Sequence, residues 1–152
     1  MKIYVKNTQA VFGFATKRAD LADSLESNVR EIIKHLIKLW IYPEDVNVHH
    51  WKQEIYNFLH KVPKLRGSKK YPTEAFILKN TIDVNYKDID HLVYIVMSNH
   101  MNKQILIYDV SDEMKESIVE YFEWLAKNLS TYGEVSRVDL YNKLKRLGFG
   151  AY

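Results

Sequence analysis

Cysteine is absent from the 152 residues. That excludes disulfides, thiolate metal sites and a cysteine nucleophile, and with them the disulfide-stapled secreted scaffold. Glycine (five) and proline (three) are scarce, so little of the chain reads as linker. Gly13, Gly67, Gly133, Gly148 and Gly150 are too scattered to form a Walker loop or a dinucleotide fingerprint. A Gly-x-Ser-x-Gly elbow is missing as well. The richest apolar run, Leu92–Met97, is six residues long, far short of the ~20 that a bilayer-spanning helix needs. The opening Met1-Lys2-Ile3-Tyr4-Val5-Lys6 does not read as a signal peptide. The expectation is a cytoplasmic protein with no membrane partner. No excess of one charge stands out either. Twenty-two Lys and Arg against 19 Asp and Glu leave a net charge of +3, which permits an anionic partner without demanding one.

What is present fits one globular unit. Hydrophobic residues make up 47% of the chain and charged residues 27%. A chain of this length buries about 70% of its unfolded surface, enough for one self-sufficient core. The expectation is a single domain over residues 1–152, without internal repeats.

Residues 2–6 and 10–15 are β-branched and aromatic and read as two strands. A helix follows from about Asp20 to Trp40, because Leu21, Leu25, Val29, Ile32, Ile33, Leu36 and Ile37 recur at helical spacing. A second begins at Asn47 or His49 with Trp51, Ile55, Phe58, Leu59 and Val62 on one stripe, and Pro63 stops it. Thr73 caps a short helical piece to about Lys79. Ser111 caps a helix running to about Leu129, with Met114, Ile118, Phe122 and Leu125 inward. Ser136 and Asp139 open a last helix that Gly148 ends.

Between these, Leu92–Met97 and Gln104–Val110 flank Asn99-His-Met-Asn102 and read as a hairpin, apolar on both faces and therefore central. The fold class expected is α+β: a small, mainly antiparallel sheet centred on the 92–110 hairpin, packed against about four main helices.

Candidate chemistry is sparse. In the hairpin register Asp90 and Asp109 become diagonal neighbours about 7 Å apart. Such carboxylates can hold Mg²⁺ for phosphodiester chemistry, although Asp is also common at turns and helix starts. The six His show no ligand spacing: His49 and His60 lie about 16 Å apart along a helix. No bound metal and no cofactor is expected. Lys64, Arg66, Lys69 and Lys70, beside Tyr71, form a loop without acids that can neutralise phosphates and stack a base. The ordinary alternative is a solvated connector. Tyr4, Tyr56, Tyr121, Tyr132, Tyr141 and Tyr152 are candidates for a binding surface, since tyrosine suits interfaces.

Three segments resemble known patterns. Gly133–Gly148 is similar to the first half of a helix-turn-helix, and Gly148–Tyr152 to part of an RNA-recognition strand motif; the expectation is that neither motif is completed. His35–Pro43, followed by Trp51, resembles a helix-loop-helix segment in a family of small helical bacterial proteins. It covers too little of the chain to carry over a site.

By elimination the leading expectation is a non-catalytic binding or regulatory module acting on a protein partner or on itself. An accessory or mobile-element protein of a bacterium or phage is expected, and the richness in Lys, Ile, Asn and Tyr points to an AT-rich genome. The second expectation is nucleic-acid binding through the 63–72 loop. The third is a metal-dependent phosphodiesterase using Asp90 and Asp109.

Overall fold

A computed structural model describes residues 14–59, 73–100 and 111–151 of the chain. In order they form α1 (Phe14–Ile41), α2 (Val48–Leu59), α3 (Glu74–Asn80), α4 (Ile82–Asn85), a one-turn 3₁₀ segment (Tyr86–Asp88), α5 (Ile89–His100), α6 (Asp112–Tyr132) and α7 (Arg137–Leu147). No strand occurs among the described residues. The architecture is a helical bundle, which corrects the α+β expectation.

The 92–110 hairpin fails because its first arm is a helix. Ile89, Leu92, Val93, Val96 and Met97 are buried, at positions i, i+3, i+4, i+7 and i+8, while Asp90, His91 and Tyr94 are exposed. That is a helical stripe, and it starts at Ile89, upstream of the segment taken as a strand. A short run of Leu, Val and Ile suits either structure, and its β-branched content favours a strand when taken alone. Residues 101–110, the other arm, lie outside the described residues. So does most of the proposed N-terminal strand pair, of which Phe14 and Ala15 open α1 instead.

Three helix starts follow from local sequence. The side chains of Thr73, Ser111 and Ser136 accept from the backbone N–H of Phe76, Met114 and Asp139, each at 3.1 Å. Each such cap is worth about 1 kcal/mol. Val135 and Leu140, both buried, occupy the two positions of a hydrophobic staple around Ser136.

The C-terminal half of α1 is the hub, packed against α2, α3, α4, α5 and α6. Val29, Ile32, Ile33, Leu36, Ile37 and Leu39 are buried there. Helix α6 adds Met114, Ile118, Tyr121, Phe122 and Leu125, and α7 adds Leu140 and Leu144. A polar seam joins α1 to the α4 region: Arg30 meets Asp88 at 2.8 Å, and buried Asn85 donates to the Thr81 carbonyl at 2.8 Å.

The end of the described chain is sewn onto the hub. Gly148 takes φ +95°, and its N–H reaches back to the Leu144 and Lys145 carbonyls. Phe149 is then buried edge-on to Trp40, with ring centroids 5.7 Å apart. The Gly150 N–H donates to the Leu39 carbonyl at 3.1 Å, and the Ala151 N–H to that of Pro43 at 2.8 Å. Residues 148–151 are therefore a strap that holds α7 beside α2, a role unrelated to the RNA-recognition strand that they resemble.

Candidate functional site

That strap creates a two-helix face with a distinctive composition. The flank of α2 turned toward α7 carries His49, Lys52, Gln53 and Tyr56. The facing flank of α7 carries Arg137, Val138, Tyr141 and Lys145. Neither flank holds a carboxylate. In each helix a cation alternates with a tyrosine at a four-residue interval, Lys52–Tyr56 and Arg137–Tyr141–Lys145.

The side chains are held by one another across the seam. The Arg137 guanidinium lies 5.0 Å from the centroid of the Tyr56 ring, a cation–π contact worth about 0.5–1 kcal/mol at an exposed site. The Tyr141 hydroxyl donates to Gln53 Oε1 at 3.3 Å. The Lys52 ammonium sits 6.0 Å from the Tyr141 ring centroid, and Lys52 is only 2% exposed. Burial, and secondarily the nearby Lys145, pulls the Lys52 ammonium below its usual lysine value. Burial raises the Tyr141 phenol above its ordinary value, against the opposing pull of Arg137. Arg137, Lys145 and Val138 are exposed at the rim, Val138 by 67%. The arrangement presents fixed aromatic surface and positive charge to an incoming group.

The residues singled out from sequence are placed differently. Asp90 lies in the first turn of α5, exposed, and pairs with Lys115 Nζ at 3.2 Å. Lys115 in turn stands 5.8 Å from the Tyr86 ring centroid. Asp109 lies outside the described residues. The register that made Asp90 and Asp109 neighbours required a strand at 92–97, where the chain is helical. Lys64, Arg66, Lys69, Lys70 and Tyr71 also lie outside the described residues, as do Tyr4 and Tyr152.

Of the remaining interface candidates, Tyr132 is exposed and Tyr56 and Tyr141 join the α2–α7 face, but Tyr121 is wholly buried. It packs edge-on to Phe122 at 5.2 Å instead of lining a surface.

A second polar group clusters between α1 and α2. His35 Nδ1 donates to the Glu31 carbonyl at 2.7 Å, and its ring meets Phe58 edge-on at 5.5 Å. Burial, more than any charge, lowers the His35 imidazole below its usual value. His50 Nε2 lies 3.6 Å from Glu54. Among the described residues no group of three or more His, Asp or Glu side chains is placed to hold a metal ion. No described helix is long and apolar enough to cross a membrane.

Neither Lys52 nor Arg137 stands out in the sequence by itself. The signal was the four-residue alternation of cation and tyrosine, present in both helices and visible only once the two are known to be adjacent. No protein family, curated protein or solved structure matches the chain.

Proposed function

We propose that this chain is a non-catalytic binding module whose α2–α7 face takes an acidic segment of a protein partner. The observation that carries it is the seam in which Arg137 rests on Tyr56 and Lys52 on Tyr141, between two flanks that carry no carboxylate among the described residues. Tyrosine and arginine are the residues most enriched where protein interfaces gain their energy. Here their side chains are already ordered, which lowers the entropic cost of binding.

A protein fits better than a nucleic acid because the rest of the surface is not uniformly basic. Helix α6 exposes Asp112, Glu113, Glu116, Glu120 and Glu123, and net charge is only +3. A long polyanion meets repulsion on that side, whereas a short acidic segment of a protein need not touch it. The lysine-rich, cysteine-free composition fits a cytoplasmic accessory protein of a bacterium or phage.

Fluorescence anisotropy tests this reading with three labelled probes: a Glu/Leu-rich peptide, single-stranded RNA and duplex DNA, each at low and high salt. The peptide is expected to bind in the micromolar range and to be weakened about tenfold by Arg137→Ala. Steeply salt-dependent binding of a nucleic acid, with none of the peptide, overturns it in favour of the polyanion reading.

A further inference from the structure

The complement of this face lies on the same molecule. Asp112, Glu113, Glu116, Glu120 and Glu123 recur along α6 at intervals of one, three and four residues and share its exposed side. Like charges three and four residues apart weaken a helix unless something else offsets them. Among the described residues, Glu120 alone of the five is met by a cation, Lys143 at 3.5 Å. On the opposing face, Arg137 and Lys145 are exposed and have no carboxylate within ion-pair distance among the described residues.

The dimensions correspond. Arg137 and Lys145 are eight residues apart, about 12 Å along α7, and Glu116 and Glu123 are seven apart, about 10 Å along α6. Within one chain the two sets cannot meet. Among the described residues the α7 cation that pairs with an α6 carboxylate is Lys143, on the flank opposite the one bearing Arg137, Tyr141 and Lys145.

We infer that the acidic partner is a second copy of this chain, with the α6 carboxylate ridge of one molecule seated on the α2–α7 face of the next. The inference rests on the binding reading above and names the occupant of that same face. Two different surfaces meet, so the contact is head-to-tail, and after each addition the assembly still offers one unfilled face at one end and one unfilled ridge at the other. Assembly therefore grows with concentration, and salt weakens it because the rim charges are exposed.

Sedimentation velocity on the full chain tests this over a range of micromolar concentrations at low and high salt. The average mass is expected to rise with concentration at low salt and to fall to that of the monomer at high salt. The paired variants Arg137→Gln/Lys145→Gln and Glu116→Gln/Glu123→Gln are each expected to sediment as monomers. Both change exposed side chains, and circular dichroism checks that both remain folded. An equimolar mixture of the two variants restores one intact face and one intact ridge, so it is expected to form a 1:1 dimer and nothing larger.

A wild-type chain that stays monomeric throughout overturns the inference. So does assembly that ignores both variant pairs, or a mixture that remains monomeric. A monomeric chain that still binds the acidic peptide through Arg137 removes the second copy and leaves the binding reading standing; one that also ignores the peptide removes both.

Discussion

Replacing Tyr121 by Phe should stabilise this protein, contrary to the usual result of trimming a buried side chain. The Tyr121 side chain is fully buried, and its hydroxyl has no hydrogen-bond partner among the described residues. A buried hydroxyl without a partner costs about 1–3 kcal/mol relative to water. Deleting the oxygen leaves a void of about 10 Å³, which costs about 0.2 kcal/mol at ~24 cal/mol per Å³. The ring contacts with Phe122 and Trp124 remain.

The balance favours Phe by about 1 kcal/mol, equivalent to a rise of about 2–4 °C in Tm for a chain of this size. Urea unfolding near neutral pH should show a higher midpoint at unchanged slope. A second signature appears at high pH. Burial pushes the Tyr121 phenol well above its ordinary value. Above about pH 10 the unfolded chain therefore releases a proton that the folded chain keeps, and stability falls by up to about 1.4 kcal/mol per pH unit. Tyr121→Phe should remove that part of the alkaline loss. A variant about 1 kcal/mol less stable than wild type, with an unchanged alkaline slope, refutes the reasoning and means that the hydroxyl is paired.

Two further outcomes follow from the same structure. Gly148→Ala forces a left-handed residue and places a Cβ 3.0 Å from the Trp40 ring; a loss of about 2 kcal/mol is expected in urea unfolding, and a loss below about 0.5 kcal/mol contradicts the strap. The lowered His35 value means that, below about pH 6.5, the unfolded chain binds a proton that the folded chain resists, so stability is full above that pH and declines below it. His35→Phe should flatten the fall in urea midpoint between about pH 7 and pH 5, and an unchanged acid profile counts against burial as the cause.

Helices were legible wherever caps and long stripes agreed. Ser111 and Ser136 cap α6 and α7 as their sequences indicate, Gly148 ends α7, and the α1 stripe from Val29 to Ile37 is the core. The middle of the chain is ambiguous from sequence because six apolar residues carry too little periodicity to separate strand from helix. Ile89, outside that window, holds the deciding phase. The α2–α7 face was legible only in part. Tyr56 and Tyr141 stood out as tyrosines, but their pairing depends on Phe149 and Gly150 docking against α1, a tertiary event that helical spacing does not encode. Lys145 sits in the last turn of α7, where it complements the helix dipole, a local role that gives no hint of its neighbour Lys52.

The most direct test of the binding face is amide chemical-shift mapping of the isotope-labelled chain while the acidic peptide is added. The shifts should concentrate at residues 49–56 and 137–145, leave α3 and α5 still, and need about tenfold more peptide to reach the same size in Arg137→Ala. Shifts centred on any other surface, or none at saturating peptide, would contradict the account.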